Sequence, residues 1–512
     1  MSGIAEHIVL ATIAGGDLAA INFEGQALSW SALSDAIAGL SSLLGQSGLG
    51  DESIIGLLGR NRPEQLTGFI SILGAARGCL LINAIRPVNM IAEEVVSLDL
   101  GCLLGSHADL SPEVVAAAKA VGCMVVAVTV SRGTVSFETI LKRSCKVFRT
   151  RKPGVLIEIQ TSGTTGVPKR IPIAERTLQS SLRDGVRSAK GTVDHFELKP
   201  QTSPTLMFGP LVHTAGTFNT LMSVFEVRPI VLFEKFDAEL YRQALVKYRP
   251  KFAALPPTAI KMMVDSDATR DDFSSVKAVR AGTAPLSVEL QLAFEEKFGV
   301  AVLTTYGATE FMGVVTSWSL EDHGLFSDRK RGSVGRATKG AQIRIVDTIT
   351  GKPVPSGEQG ILEAKLQRID DSKEWIRTTD LARLDDDGFL YIIGRADDAI
   401  IRGGFKVMAG KVADVLKLYP GVYEAIVLGV QDERLGEVPV AVIETYPGVR
   451  LDESAIKSFS KEKLTPYEVP VRFHQIERLP RTVSDKISRP EVRKFLESLA
   501  DEQCMAKSLR SQ

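Results

Sequence analysis

Apolar positions in the first 160 residues follow two spacings that alternate along the chain. Short, almost wholly apolar runs predict buried strands at residues 54–58, 79–82, 102–104, 124–128 and 155–159. Between these runs, apolar residues recur every three or four positions, which predicts helices at residues 33–44, 63–76 and 112–120. This alternation of strand and helix predicts an α/β fold in which mostly parallel sheets are covered by helices.

The pattern changes in the last part of the chain. Strand-like runs at residues 425–430, 438–444 and 471–476 combine with a helical pattern at 452–463 and a final helix from about Pro490. These elements predict a small, separate α+β domain. With the polar segment 395–398 as its hinge, we expect an N-terminal core of residues 1–394 and a mobile C-terminal domain of residues 399–512.

Composition narrows the class of protein. The chain has 512 residues, 44% hydrophobic and 24% charged, which is typical of a soluble globular protein with two or more domains. Lys plus Arg and Asp plus Glu both total 61, so the charge gives no indication of a nucleic-acid or anionic membrane partner. We expect neither a membrane span nor a signal peptide, because no run of 18 apolar residues and no basic N-terminal start is present. Five scattered cysteines without a C-x-x-C pair favour a reducing compartment, so we expect a cytoplasmic protein.

Candidate chemistry begins directly after the predicted strand at 155–159. Residues 161–169 read TSGTTGVPK, with two glycines, four hydroxyls and a lysine. Glycines allow close approach of the backbone to a ligand, and hydroxyl, amide and ammonium donors suit phosphate oxygens. The spacing differs from that of a P-loop. An ordinary polar loop after a strand is the alternative interpretation of such a segment.

The segment closely resembles the signature loop of the adenylate-forming superfamily, which comprises acyl-CoA synthetases, peptide-synthetase adenylation domains and luciferases. Seven further segments resemble the family's motifs, and they occur in the family's order: PLVHTAG (210–216), LPPT (255–258), AGTAP (281–285), YGATE (306–310), TTD (378–380), GRADDAIIRGG (394–404) and PRTVSDKISR (480–489). The resemblance therefore extends over nearly the whole chain.

The resemblance implies a role for each of these segments. ATP and AMP would be bound by Thr161, Ser162, Gly163, Thr164, Thr165, Gly166, Lys169, Gly282, Thr283, Ala284, Tyr306, Gly307, Thr309, Asp380 and Arg395. The groups closest to the reaction would be Lys486, His213, Thr165 and Glu310, with Glu310 as the ligand of Mg²⁺. The acid pocket would be lined by Val212, His213, Phe218, Thr283, Gly307, Met312 and Gly313. The hinge would lie at Asp397, and the tunnel for the pantetheine arm of coenzyme A would be formed by Gly403, Gly404, Phe405 and Lys406.

The resemblance implies an AMP-forming acid–CoA ligase. Such an enzyme joins a small-molecule carboxylic acid to AMP, releases pyrophosphate, and then transfers the acyl group to the thiol of coenzyme A. The mostly apolar or small pocket residues favour an acid with an uncharged, hydrophobic tail, which leaves aryl, alicyclic and medium-chain acyl acids open. An amino-acid substrate is disfavoured, because residues 253–258 contain no acidic side chain.

Two other functions stay open from the sequence. The first is a stand-alone adenylating enzyme that loads the phosphopantetheine thiol of a carrier protein. Since only a short segment follows Lys486, we expect such a carrier to be a separate protein. The second is a non-catalytic nucleotide-binding relative. It is disfavoured because the chain retains Thr165, Glu310, Asp380, Arg395 and Lys486 together.

Overall fold

The computed structural model divides into two compact units. It describes residues 3–161, 169–190, 198–308, 311, 313–367, 374–396, 399–402, 405–432, 434–482 and 486–510, without the side chains at 161, 169, 187–190, 395, 399, 401, 405–406 and 500–510. The first unit comprises Met1–Leu325, Thr338–Gly340 and Leu366–Ser372. The second comprises Phe326–Ala337, Ala341–Lys365 and Lys373–Gln512.

Strands of the first unit form three sheets. They are β1 (Ala19–Phe23), β2 (Gln26–Ser29), β3 (Ile54–Gly59), β4 (Gly78–Asn83), β5 (Cys102–Gly105), β6 (Met124–Ser131), β7 (Thr134–Leu141), β8 (Val155–Thr161), β9 (Lys169–Ala174), β10 (Thr205–Met207), β11 (Ile230–Leu232), β12 (Phe252–Ala254), β13 (Ala278–Ala281), β14 (Ala301–Ala308) and β15 (Gly313–Ser317). The largest sheet has the order β7-β6-β5-β3-β4-β8-β9, in which β7 and β9 are antiparallel edge strands and the rest are parallel. The second has the order β10-β11-β1-β2, and the third contains β12-β13-β14-β15.

Helices cover these sheets. They are α1 (Ile4–Gly15), α2 (Trp30–Gln46), α3 (Pro63–Gly74), α4 (Val88–Ser97), α5 (Pro112–Ala120), α6 (Glu175–Lys190), α7 (Thr214–Phe225), α8 (Ala238–Tyr248), α9 (Pro257–Asp265), α10 (Val288–Phe298) and α11 (Leu320–Lys330), with a 3-10 turn at Asp271–Phe273. Local chemistry fixes several of their ends: the Ser29 hydroxyl accepts a hydrogen bond from the N–H of Ala32 at the start of α2, and Ser111 caps α5 ahead of a proline.

The second unit contains two antiparallel sheets with one parallel addition. Its strands are β16 (Arg336–Ala337), β17 (Ala341–Val346), β18 (Gln359–Leu366), β19 (Ile376–Leu384), β20 (Leu390–Arg395), β21 (Ala399–Arg402), β22 (Phe405–Met408), β23 (Val422–Asp432), β24 (Gly436–Thr445) and β25 (Arg472–Ile476). One sheet has the order β17-β18-β19-β20 and the other β22-β21-β24-β23, with β25 parallel to β24. The helices that follow are α12 (Ala409–Lys417), α13 (Glu453–Lys463) and α14 (Arg489–Arg510).

The fold class predicted from the sequence is confirmed. Each strand predicted in the first 160 residues is present as β3, β4, β5, β6 or β8, and the three predicted helices are present as α2, α3 and α5. The C-terminal strands and helices are present as well. The sequence patterns did not identify α1 or the edge strand β7, because α1 is apolar on most of its positions and β7 is largely exposed.

The predicted hinge concerns a movement and stays a prediction. Contacts group the sheet of β17 to β20 with the C-terminal elements, whereas the predicted moving boundary is at residues 395–398. Asp397 and Asp398 lie outside the described residues. Close to that boundary, a Cβ added to Gly394 would come within 2.8 Å of Met408 Cε, so the end of β20 packs tightly against the end of β22.

No helix within the described part of the chain is both long enough and apolar enough to cross a membrane.

Candidate active site

Three predicted nucleotide and acid segments meet at one edge of the third sheet. Strands β12, β13 and β14 run parallel, and one of the predicted segments lies at the carboxyl end of each strand, directly after β12 and β13 and within the last residues of β14. These segments begin at Leu255, Gly282 and Tyr306. The carboxyl ends of parallel strands are where open α/β sheets bind ligands. The arrangement therefore brings residues far apart in the sequence to the same end of one sheet.

The turn after β13 is built for a close approach between two strand ends. A Cβ at Gly282 would lie 2.6 Å from the hydroxyl of Thr305, and that hydroxyl donates to the carbonyl oxygen of Ala281 at 3.2 Å. The backbone of Thr283 has a positive φ of 70°, a conformation that residues with a Cβ rarely adopt. Thr283 and Ala284 are exposed, so this strained turn faces solvent, as a ligand-binding turn requires.

The end of β14 pairs closely with the antiparallel strand β15. Tyr306 pairs with Thr316 and Gly307 with Val314, with a bulge between Tyr306 and Gly307. A Cβ at Gly307 would lie 2.4 Å from the carbonyl oxygen of Gly313. Glycine is thus required at 307 by the neighbouring backbone. Tyr306 is half-buried and Gly307 is exposed, so both residues are at least partly accessible at the carboxyl end of β14.

The predicted phosphate loop connects two paired strands at the edge of the largest sheet. Strands β8 and β9 pair so that Thr161 lies opposite Lys169. The two ends of the loop are therefore held together by the sheet, which fixes where the loop starts and stops. The loop itself and the side chains of Thr161 and Lys169 lie outside the described residues.

A partly buried ionic cluster anchors this hairpin, and sequence reasoning did not identify it. Glu94 is bound by Arg170 and by Arg86, whose Nη1 donates to Glu94 Oε2 at 2.5 Å. Arg86 also donates to the side chain of Gln160 at 3.3 Å. Burial, the largest effect, lowers the pKa of Arg170 despite the carboxylates of Glu94 and Glu158. The strands on each side of the loop are tied through this cluster to the end of β4.

The His213 segment is held by an asparagine that precedes it by about 150 residues. Asn61, just after β3, donates through Nδ2 to the carbonyl oxygens of Phe208 at 2.7 Å and Gly209 at 3.1 Å. Its Oδ1 accepts from the N–H of Leu211 at 2.9 Å. The side chain is buried. Asn61 thereby fixes the backbone that leads into His213, the residue before helix α7. Only the fold brings these residues together, and no local signal in the sequence indicated Asn61.

Two residues assigned to the acid pocket contact the hydrophobic core in this structure. Val212 is buried at 5% exposure, and a Cβ at Gly59 would lie 2.5 Å from its Cγ1. Phe218 is half-buried and packs against the same core, beside Gly185 of α6. Their contribution to an acid pocket stays a prediction. Position 216 must be a glycine for a different reason. A Cβ added there would lie 2.1 Å from the carbonyl oxygen of Pro210.

The predicted ribose-binding residues lie directly opposite each other in the second unit. Asp380 on β19 pairs with Arg395 on β20. The N–H of Asp380 donates to the hydroxyl of Thr378 at 3.0 Å, and that hydroxyl donates to the carbonyl oxygen of Leu362 at 2.8 Å. The register therefore places Asp380 and Arg395 on neighbouring strands at the same level. The side chain of Arg395 lies outside the described residues.

Lys486 is exposed, and the residues on either side of its segment are fixed. The N–H of Thr482 donates to the carbonyl oxygen of Lys486 at 2.6 Å, and the backbones of Arg481 and Ile487 form an isolated antiparallel β-bridge. Arg481 lies 3.7 Å from Glu444, whose carboxylate also accepts from the N–H of Leu479. These flanking residues are thus bound to β24, while Lys486 itself is exposed.

Comparison with protein families adds the decisive observation. The family model described as "AMP-binding enzyme" matches residues 12–365, and the model described as "AMP-binding enzyme C-terminal domain" matches residues 411–486. The chain belongs to the AMP-binding enzyme family. The superfamily that the motifs indicated is thereby confirmed.

Relatives of this AMP-binding enzyme are named as CoA ligases. The chain is 31% identical to 4-coumarate–CoA ligase-like 9 of Oryza sativa subsp. japonica over 357 residues, which cover 65% of this chain and 62% of that protein. The alignment thus spans less than two thirds of that relative's length. Indoleacetate–CoA ligase of Aromatoleum aromaticum is 29% identical over 507 residues, covering 93% of this chain and 95% of that protein.

Solved structures share the fold of this AMP-binding enzyme. ATP-bound MatB from Rhodopseudomonas palustris superposes with a TM-score of 0.80 at 22% identity, covering 97% of this chain and 100% of that one. An o-succinylbenzoate coenzyme A synthetase from Bacillus subtilis, in complex with ATP and magnesium ion, gives 0.77 at 21% identity, covering 96% and 99%. At these identities the likeness shows the fold.

Several predicted site residues of this AMP-binding enzyme lie outside the described residues. They are Ser162, Gly163, Thr164, Thr165, Gly166, Thr309, Glu310, Met312, Asp397, Gly403 and Gly404. The side chains of Phe405 and Lys406 are outside as well. Among the described residues no group of three or more His, Cys, Asp or Glu side chains could hold a metal ion. The predicted magnesium ligand Glu310 belongs to the short segment that joins β14 to β15.

Proposed function

We propose that this protein is an AMP-forming acid–CoA ligase that activates a carboxylic acid with a hydrophobic tail. The observation that carries the proposal is the meeting of the segments at Leu255, Gly282 and Tyr306 at the carboxyl ends of three adjacent parallel strands. A crevice of this kind suits a nucleotide. Named CoA ligases among the relatives, one of them aligned over 95% of its length, support the choice of reaction.

The chemistry required is the conversion of a poor leaving group into a good one. A carboxylate oxygen attacks the α-phosphorus of ATP, the bond to the β-phosphate oxygen breaks, and pyrophosphate leaves. The thiolate of coenzyme A then attacks the acyl carbon, the bond to the AMP oxygen breaks, and AMP leaves. The first step brings two anions together, so electrostatic stabilisation by positioned cations and N–H donors is the main requirement.

The residues of the chain divide this work between them. Lys486, exposed in its anchored segment, would contact the carboxylate and the α-phosphate, and the loop between Thr161 and Lys169 would hold the departing pyrophosphate. Asp380 would accept hydrogen bonds from the ribose hydroxyls, beside Arg395. His213, fixed through its backbone by Asn61, would border the acid. Glu310 would hold Mg²⁺, which would neutralise phosphate charge when bound.

The predicted lining of the acid pocket and the named relatives support the proposed substrate class. Of the residues predicted to line the acid pocket, Val212 and Phe218 have apolar side chains, and both pack against the core. The named relatives include an indoleacetate–CoA ligase and a 2-succinylbenzoate–CoA ligase, both of which act on acids that carry a ring. An oxalate–CoA ligase is also a relative, at 26% identity, and it provides the contrasting substrate for a test.

The experiment is ATP–pyrophosphate exchange against a panel of carboxylic acids, with and without coenzyme A, following pyrophosphate, AMP and thioester. We expect aryl or other apolar acids to drive exchange and to form thioesters with release of AMP, while oxalate does neither. Exchange without any thioester would assign the chain to loading of a separate carrier protein. If no acid on a broad panel supports exchange, the ligase proposal is wrong and a non-catalytic nucleotide-binding function takes its place.

We also propose a cytoplasmic location. None of the four described cysteines forms a disulfide, and Cys79, Cys102 and Cys123 are buried thiols. Burial raises the pKa of all three, so they stay protonated and unreactive. Such thiols are typical of a reducing compartment. Fractionation of cells that express the tagged full chain tests the location, and recovery in the secreted fraction would contradict it.

A further inference from the structure

A buried carboxylate lies beside the connection between β3 and α3. The side chain of Asp109, in the turn after β5, is 1% exposed to solvent. Its Oδ1 lies 2.7 Å from Nη2 of Arg60, and its Oδ2 accepts hydrogen bonds from the hydroxyl of Ser106 at 2.7 Å and from the side-chain amide of Gln65. A carboxylate withdrawn from water requires such partners, because burying an unpaired charge is costly. Both oxygens of Asp109 are therefore bound by the protein.

Both ends of the β3–α3 connection are bound to this carboxylate. Arg60 directly follows β3, and Gln65 lies in the first turn of α3. Between them stands Asn61, whose side chain holds the backbone of residues 208–211. Arg60 binds one oxygen of Asp109 and Gln65 binds the other. The carboxylate therefore fixes the connection on each side of Asn61.

Neighbouring strand ends add two further contacts to the connection. Nη2 of Arg60 also donates to the carbonyl oxygen of Ala84, just after β4, at 3.3 Å. On the other side, Nη2 of Arg62 lies 2.8 Å from Oε2 of Glu234, just after β11. The side chains of Arg62 and Glu234 are both exposed, and such a surface pair contributes little. The buried carboxylate of Asp109 is therefore the stronger clamp on the connection.

Stability alone does not account for the burial of this ion pair. Replacing a buried ion pair by apolar side chains is often neutral or stabilising, because the desolvation cost offsets the attraction. Arg77 and Asp51 form a pair with the same 2.7 Å distance at the amino ends of the same strands, where the carboxylate is 74% exposed. Asp109 is buried at the carboxyl ends, where open α/β sheets bind ligands. Its location thus indicates a role in holding the site.

We propose that Asp109 is a positioning residue for activation of the acid. By holding Arg60 and Gln65, its carboxylate fixes Asn61, and Asn61 fixes the backbone that leads into His213. The inference rests on the proposed ligase function, in which His213 borders the acid. Asp109 itself touches no substrate in this arrangement, because every contact from its carboxylate to residues 208–211 joins one protein group to another.

The kinetic test replaces Asp109 by asparagine, which keeps the shape of the side chain and removes its charge. In pyrophosphate exchange with the most active acid of the panel, kcat/KM for the acid should fall about tenfold, since a misplacement of about 1 Å costs up to about 100-fold. The KM for ATP should change by less than about twofold. Adding Asp109→Asn to Asn61→Ala should cause no further loss. Unchanged acid kinetics, or an additive loss in this double variant, overturns the inference.

Two controls separate positioning from loss of stability. Arg77→Ala removes a buried arginine at the amino ends of the same strands, so it should lower the melting temperature without changing the acid kinetics. Arg60→Lys keeps a cation for Asp109 and should retain more activity than Arg60→Met, which keeps only an apolar stem. A kinetic loss in Arg77→Ala equal to that in Asp109→Asn would assign the effect to stability and overturn the inference. Equal activities of the two Arg60 variants would do the same.

Hydrogen–deuterium exchange tests the clamp without any reaction. Peptides that contain the N–H of Leu211, which donates to Asn61, should take up deuterium about tenfold faster in Asp109→Asn than in the wild type. Arg77→Ala should leave the rate in these peptides unchanged. Wild-type uptake in Asp109→Asn overturns the inference whatever the activity of the variant. Absence of pyrophosphate exchange in the wild type with every acid bears on the ligase proposal instead, so the two failures are distinguishable.

Discussion

Replacing Asn61 by alanine tests whether the backbone before His213 must be held for the acid to be activated. The substitution removes three hydrogen bonds, at 2.7, 3.1 and 2.9 Å, between Asn61 and the segment of Phe208 to Leu211. It leaves the buried N–H of Leu211 without this acceptor.

The magnitude follows from these contacts. A hydrogen bond contributes about 0.5–1.5 kcal/mol net, and a buried donor left without a partner costs about 1–3 kcal/mol. Since the three bonds share one segment and are not additive, we expect a loss of about 2–4 kcal/mol in the free energy of unfolding. A misplacement of about 1 Å at a reacting group lowers rates by up to about 100-fold. We therefore expect kcat/KM for the acid to fall by about 10- to 100-fold.

The assay is acid-dependent pyrophosphate exchange well below the melting temperature of each variant. The KM for ATP should change by less than about twofold, because Asn61 acts on the acid side of the site. A double-mutant cycle with His213→Ala makes the reasoning specific: if Asn61 acts through His213, the double variant should be no less active than His213→Ala alone. Gln46→Ala is the matched control, since this exposed amide donates, among the described residues, only to the hydroxyl of Ser42. Full activity of Asn61→Ala, or additive losses in the cycle, would refute the positioning role.

Three further predictions concern other parts of the molecule. Lys486→Ala should lose at least about 100-fold in exchange while sparing thioester formation from a supplied acyl-adenylate, and loss of both half-reactions would contradict its role in the first alone. Gly307→Ala places a Cβ 2.4 Å from a backbone oxygen, so its melting temperature and exchange rate should both fall. Gly324→Ala, inside helix α11 with open space around it, should leave the exchange rate unchanged and should not lower the melting temperature, because alanine is favoured over glycine in a helix. A thiol reagent applied to the native protein should modify half-buried Cys145 before Cys123, because burial raises the pKa of Cys123 to about 12. Peptide mapping would give the order of modification, and the reverse order would show that the segment around Cys123 opens to solvent.

Elements with a strong local pattern could be predicted from the sequence. Strand β3 is a run of buried residues next to helix α3, which begins at a proline, and both appear close to the predicted bounds. The same holds for β8, which leads into the predicted phosphate loop. Edge strand β7 could not be predicted, because it is held by pairing with β6 rather than by burial of its own side chains.

The parts of the site that the sequence did not reveal are held by long-range contacts. Asn61 and Leu211 are 150 positions apart, and Arg170 and Glu94 are 76 apart. A single sequence shows that a residue is polar, but a polar residue after a strand is ordinarily a solvated one. Burial distinguishes the two cases, and burial depends on the whole fold. Motif residues could be found because their type and spacing are local, whereas the residues that position them could not.

The structure gives a second reason, apart from nucleotide binding, for the glycines in two of the motifs. The resemblance assigns Gly282 and Gly307 to nucleotide binding. A Cβ added at Gly282 would, however, lie 2.6 Å from the Thr305 hydroxyl, and one added at Gly307 would lie 2.4 Å from the Gly313 carbonyl oxygen. A non-catalytic relative with the same strand ends would need both glycines too, so their presence supports the fold more than the reaction. Lys486 differs, because it is exposed and its truncation should leave the melting temperature almost unchanged. Loss of exchange at constant stability in Lys486→Ala, set against loss of both in Gly307→Ala, would therefore separate chemistry from architecture at this site.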